Sequence, residues 1–290
     1  MKMKSILLLI LMIFISLFSS CDEVQQPFEK NVNPDTNITK DTPCILLEEF
    51  TGYKCINCPK ATRMLQELIN NSYKDKVIVV AFHAGNFAKP DADAESHFQY
   101  DFRTDVGNEL NSFFSVTSNP SATINRTPYQ SGIVVNWGNW ASAIQDYFEK
   151  NKTAPVKINL TSDFNRDKNT LTASVDLEYL QAESAGNYLS VWVTEDGIKY
   201  WQLDREADPK EVENYIHNHV FRHSFNGTWG DQISTSEIPV GTKVSKNYSF
   251  TFYKSCDWKP ENLNIVAFVY DANAGKKVLQ AAETKVIVKD

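Results

Sequence analysis

The residues from Leu46 to Leu68, LLEEFTGYKCINCPKATRMLQEL, constrain the chain more than any other stretch. A short apolar run, Ile45 to Leu47, ends in Glu48, Glu49 and Phe50. Gly52 follows, then the CxxC pair Cys55 and Cys58, then Pro59. Ala61, Met64, Leu65, Leu68 and Ile69 recur at the i, i+3, i+4, i+7, i+8 spacing of one helical face. The expected order is strand, tight loop, and a CxxC at a helix start. Pro59 suits that place, because the first helical turn has backbone donors with no partner to lose.

Free N–H groups and the positive end of the helix dipole stabilise a thiolate at such a position. Cys55 is therefore the expected nucleophile and Cys58 the resolving thiol, with the Lys54 charge favouring the thiolate. Two other uses of the pair stay open. One is a fixed structural disulfide; the other is half of a zinc site, which needs two more ligands at metal spacing. The sequence has no second CxxC.

These residues resemble the thioredoxin superfamily. Glu49-Phe50 stands six residues before Cys55, where that superfamily often carries a buried Asp-Phe. The resemblance implies that Glu49 moves protons for the resolving thiol. It also implies that Asn119-Pro120, followed by a β-prone run, is the loop holding a cis-proline opposite the CxxC. The chain departs from the pattern at Lys54, where Trp is usual, and at Ile56-Asn57, where Gly-Pro is usual.

The N-terminus reads as a targeting segment, with Lys2 and Lys4 before the apolar run Ile6 to Phe18. That run is short for a bilayer span and ends in Ser19-Ser20-Cys21, which looks like a bacterial lipoprotein cleavage site. Residues 1–20 are then the signal, Cys21 carries the lipid, and the membrane is a partner through that anchor. Residues 21–41 are polar, aperiodic and carry two prolines, so they are expected to form a flexible tether. Lipidation of Cys21 leaves Cys44, Cys55, Cys58 and Cys256, an even number that allows two disulfides in an oxidising envelope. If Cys55 bonds Cys58, then Cys44 and Cys256 are candidates for a staple between the two halves; two isolated buried thiols are the alternative. The formal charge of −7, with no long basic cluster, argues against nucleic acid as a partner.

Two halves are expected. Residues 42–152 run strand, helix, strand (Lys76 to Gly85), a polar insertion turning helical by Phe114, a hairpin and a closing helix from Trp137. That order implies an α/β thioredoxin-like domain. From residue 153 the apolar period changes to two, as in Val156 to Leu160 and Leu171 to Leu177. Repeated alternating strands suggest an all-β, immunoglobulin-like antiparallel sandwich over residues 153–290. Within it, His217, His219 and His223 would share a strand face, a weak metal candidate among aromatic neighbours. No motif asks for a cofactor, and neither Gly-x-Ser-x-Gly nor His-Glu-x-x-His occurs.

Several stretches taken in order, EEFTGYKCINCPKA, VAFHAG, NPSATINR, HNHVFR, WKPEN before VAFVYDA, and a final VLQAAETKV, are similar to a narrower group. This is the Bacteroidetes outer-membrane lipoprotein family named for a 28-kilodalton outer membrane protein. The resemblance implies an outer-membrane location facing periplasm or cell surface, with a thioredoxin-like half and a β-sandwich half. It carries no settled activity. Two functions are therefore expected in competition. One is thiol–disulfide exchange on envelope or extracellular proteins; the other is a non-enzymatic surface protein, adhesin or ligand-binding, whose CxxC is a fixed disulfide.

Overall fold

The computed structural model describes residues 42–290 apart from residue 131; the signal, the tether and Cys21 lie outside the described residues. Strand β1 (Ile45–Thr51) is buried along its whole length. It pairs in parallel with β2 (Val77–His83) and antiparallel with β3 (Ser121–Ile124). A parallel neighbour needs a crossover, and α1 (Cys58–Ser72) supplies it. The polar stretch after β2 leads to α2 (Asp105–Phe113), capped by the Thr104 hydroxyl accepting from the Gly107 N–H at 3.0 Å. β4 (Val134–Asn136) then pairs with β3, and α3 (Trp140–Lys150) closes the first half after one 3₁₀ turn.

The alternating stretches beyond residue 153 form strands. They are β5 (Val156–Asn165), β6 (Thr170–Tyr179), β7 (Asn187–Glu195), β8 (Ile198–Leu203), β9 (Glu211–His217) and β10 (Val220–Ser224). After them come β11 (Asp231–Gln232), β12 (Lys243–Thr251), β13 (Leu263–Asp271), β14 (Lys277–Lys285) and β15 (Ile287–Lys289). The C-terminal strand run is broken at Val286, and β15 crosses to pair in parallel with β5. The molecule is mostly β-sheet with few helices.

The two halves share one sheet. Its strand order is β14-β13-β7-β10-β2-β1-β3-β4, with β11 beside β7. The joint is Val220 of β10 opposite Ala81 of β2, closed by the Ala81 N–H donating to the His219 carbonyl at 2.8 Å. The sheet therefore runs straight across the boundary read near residue 153. The reason lies in β2: VIVVAFH is apolar on both faces, and its second edge needs a strand neighbour to satisfy its backbone.

Each sheet face has its own cover. Ile45, Leu47, Val77 and Val79 pack under α1 and α3. On the same face at the far end, Leu189, Val191, Val193, Ile265 and Val269 meet Ile158, Leu160, Val175 and Leu177 of the four-stranded sheet β12-β6-β5-β15, a two-layered β-sandwich. The opposite face carries one cluster across both halves, with Leu46, Phe50, Phe82, Leu110, Trp192, Phe221 and Phe268.

Inside that shared cluster lies a fully buried ion pair. Arg126 donates through Nε and Nη2 to the two carboxylate oxygens of Glu48, at 2.9 and 2.7 Å. Thr123 also donates to Glu48, and the guanidinium lies 5.1 to 6.0 Å from the ring centres of Phe114, Trp192, Trp229, Phe268 and Tyr270.

The candidate Cys44–Cys256 staple is absent, and the alternative of two separate thiols holds. Cys44 packs in the shared cluster while Cys256 lies against the sandwich core, so the two belong to different layers. A side-chain clip does related work: Gln280 of β14 accepts from the Cys44 N–H at 2.8 Å and donates to the Thr42 carbonyl at 2.9 Å.

The Arg126→Met substitution leaves Glu48 buried without its partner and is expected to cost about 3–5 kcal/mol. Urea denaturation measures the loss, and adding Glu48→Gln should recover a substantial part of it.

Candidate functional site

The CxxC follows directly from how β1 ends. Its backbone turns at Gly52, where a Cβ would lie 2.5 Å from the Phe87 carbonyl carbon, so only glycine lets the loop settle on that turn. The Lys54 N–H donates to the Phe87 carbonyl at 3.0 Å, and Cys55 bonds back to Gly52. Cys58 opens α1 with Pro59 in the first turn, as the spacing predicts. Cys55 and Cys58 are joined by a disulfide, and each is 2% exposed. Lys54 is paired with Asp91, so the charge expected to favour a thiolate is already compensated.

Alternation along β1 puts Glu49 and Thr51 on the α1 side of the sheet, with Glu48 and Phe50 on the other. Glu49 is 3% exposed and accepts from the Thr62 hydroxyl at 3.5 Å. Burial pushes its pKa up to about 7, the Thr62 hydrogen bond opposing this only in part. Glu49, Cys58, Thr62, His83, Gln202, Tyr215 and His217 line one small cavity of about 40 Å³. That volume is enough for about one water molecule. The Asn119-Pro120 bond is cis. The register Phe50 opposite Ser121 sets Pro120 level with Thr51, at the sheet end that carries the CxxC loop.

The second half contributes the cavity's other wall. Between β7 and β10 the chain leaves the sheet as the β8–β9 hairpin, a two-stranded sheet of its own. Tyr200 of that hairpin packs on Tyr53 and Phe102, at centroid distances of 6.1 and 5.5 Å. Its tip crosses the CxxC loop, where the Leu203 N–H donates to the Tyr53 carbonyl at 2.8 Å.

The three histidines do not share one strand face. His217 ends β9 and His219 sits in the turn at φ 57°, both lining the cavity, while His223 on β10 packs against Phe250 with centroids 4.1 Å apart. The turn at Asn218-His219 breaks the strand, so the period of two does not carry through. His83, 5.3 Å from His217 between ring centres, is the real neighbour. Burial holds His217 down at about 4; it lowers His83 as well, reinforced by His217 and Arg222. Both rings are therefore neutral. Among the described residues no group of three or more His, Cys, Asp or Glu could hold a metal ion.

Sequence reasoning missed Thr62, Gln202 and Tyr215. Thr62 lies one helical turn after Cys58 and was within reach of a spacing argument. The other two come from the hairpin, more than a hundred residues away, and have no local signal.

The family model for outer membrane protein Omp28 matches residues 107–289. The chain belongs to the Omp28 outer membrane protein family. Its place is accordingly the outer membrane, and among the described residues no helix is long and apolar enough to cross a membrane. The matched span begins after the CxxC, so membership by itself says nothing about Cys55 and Cys58. HBP35 of Porphyromonas gingivalis has a related fold, with a TM-score of 0.65 at 16% identity, over 85% of this chain and 76% of that one. A domain of the outer membrane lipoprotein Omp28 from Porphyromonas gingivalis matches 47% of this chain and 92% of its own, at 20% identity and a TM-score of 0.30. No curated protein matches the chain.

Glu49 gives a pH signature with a definite sign. Its carboxyl ionises near 4.5 when unfolded and near 7 when folded, so the folded state holds the proton longer. Stability from this group is full below pH 4.5 and falls as pH rises toward 7, by roughly 3 kcal/mol. Glu49→Gln should flatten that slope and be the more stable protein at pH 8. Urea midpoints of the oxidised forms between pH 4 and 8.5 check this.

Proposed function

We propose that this Omp28-family protein is anchored to the outer membrane through lipid on Cys21 and that its first half is a thioredoxin-like module for thiol–disulfide exchange with envelope proteins. The observation that carries the reading is Cys58 and the buried, proton-holding Glu49 opening into one water-sized cavity at a helix start. A thiolate of a dithiol protein attacks the Cys55 Sγ. The Cys55–Cys58 bond breaks, a mixed disulfide forms, and Cys58 leaves with the proton of Glu49. The partner's second thiolate then attacks its own sulfur in the mixed disulfide, closing a disulfide and releasing Cys55. The partner loses two electrons and the CxxC pair gains them. Pro120 borders the groove in which the partner's sulfur lies.

A second reading is favoured by the 2% exposure of each cysteine. In it the disulfide is a fixed staple and the β-rich part binds a ligand, host or matrix component. Sandwiches carry many unrelated functions, so the fold does not choose between them.

The reduction potential of the Cys55–Cys58 pair, in a Cys44→Ser, Cys256→Ser background, separates the two. Exchange predicts a value between about −120 and −270 mV, with Cys55 the first thiol to be alkylated and Cys58→Ser trapping mixed disulfides. A value below about −300 mV would leave the staple reading in possession.

A further inference from the structure

The hairpin tip lies on the CxxC loop as a bound peptide would. Besides the Leu203 bond to Tyr53, the Gln202 Nε2 donates to the Cys55 carbonyl at 3.2 Å, and the Arg205 N–H donates to the Ile56 carbonyl at 2.9 Å. The Leu203 and Arg205 bonds run main chain to main chain, which is how grooves hold extended peptides whatever their sequence. The side chains add selectivity. Asp204 sits on Arg63 at 2.7 Å, and Glu206 reaches Arg63 at 2.8 Å and Lys60 at 2.7 Å. Lys60 and Arg63 stand on the exposed side of α1, one turn from Cys58, and within the tip they meet carboxylates.

We propose that Gln202 to Glu206 is an internal occupant of a peptide site, and that the same surface takes an extended acidic stretch of the protein whose cysteine reacts with Cys55. The inference rests on the exchange reading and names its partner class: an unfolded or loop segment with carboxylates near the reactive cysteine. The tip can yield without the rest of the fold. The hairpin shares no strand pairing with the large sheet, and two-stranded hairpins are marginal alone. The ion pairs to Glu206 are nearly half exposed on both sides, where such pairs contribute little. Tyr200, packed on Tyr53 and Phe102, anchors the hairpin's root, so motion is confined to the residues beyond it.

The test uses the full mature chain with Asp204→Lys and Glu206→Lys together, and Glu206→Lys alone as the milder variant should the pair disturb folding. The probe is a labelled peptide of the chain's own sequence, Trp-Gln-Leu-Asp-Arg-Glu-Ala-Asp, beside a control with its acidic residues replaced by lysine. The charge-reversed tip is expected to lift from Lys60 and Arg63. Peptide affinity should then rise at least tenfold over the natural chain, fall with added salt, and be absent for the control. Reduction of the disulfide by dithiothreitol should quicken at least tenfold. Faster reduction without a gain in acidic-peptide binding, or equal binding of the control, overturns the peptide site and leaves the tip a mere cover. Acidic-peptide binding together with a staple-like potential would instead retain the site and end the exchange reading.

Discussion

The buried pairing of Glu48 with Arg126 is the constraint on which the rest of the fold depends. Two charges cannot leave water cheaply without close compensation. Here the answer comes from both halves of the chain. The carboxylate comes from β1 and the guanidinium from just beyond β3, while the surrounding rings come from the residue after α2, from β7 and β13, and from the loop at Trp229. An aromatic ring presents its negative face to a cation, so Trp192, Phe268 and Tyr270 do more than fill space. Moving the second half away would expose a charged pair and strip four of the five rings from it. The α/β portion and the β-rich portion are bound by chemistry as well as by their common sheet.

That union explains the covered disulfide. A sheet joined through β2 and β10 brings the residues flanking β10 to the end of β1, where the CxxC loop emerges. The excursion between β7 and β10 then has one place to go, over Tyr53 and Cys55. The same geometry buries Glu49. Its raised pKa follows from being roofed by Tyr215 and His217, both supplied by that excursion. The proton chemistry of the first half is set by residues of the second.

How much was legible beforehand follows from the range of each interaction. The strand–loop–helix around Cys55 and Cys58 could be read because its signals are local: helical spacing, Pro59 in a first turn, Gly52 at a tight approach. The alternation of β5 and β6 was readable for the same reason, whereas the cis bond at Pro120 was implied by the thioredoxin resemblance. The continuous sheet was not, since an apolar VIVVAFH says that β2 needs neighbours without saying which. Arg126 passed unnoticed because a lone arginine after a strand usually faces water, and only the distant rings reveal its burial. Counting made Cys44 and Cys256 a candidate pair beside the alternative of two separate thiols, and the count could not know that they lie in different layers. The histidines misled in another way. A period of two holds only while a strand continues, and Asn218-His219 is a turn.

The Gln280 clip at Thr42 and Cys44 bears on mechanics. Whatever holds the protein at a membrane through its N-terminus delivers its pull to the start of β1. That strand lies between β2 and β3, seven residues in register with β2, and its Leu46 N–H is also held by the Asn125 side chain at 2.6 Å. A load along β1 shears that ladder as a whole instead of opening it one bond at a time. With Gln280 fastened across its entrance, that end of the described fold resists unravelling under tension.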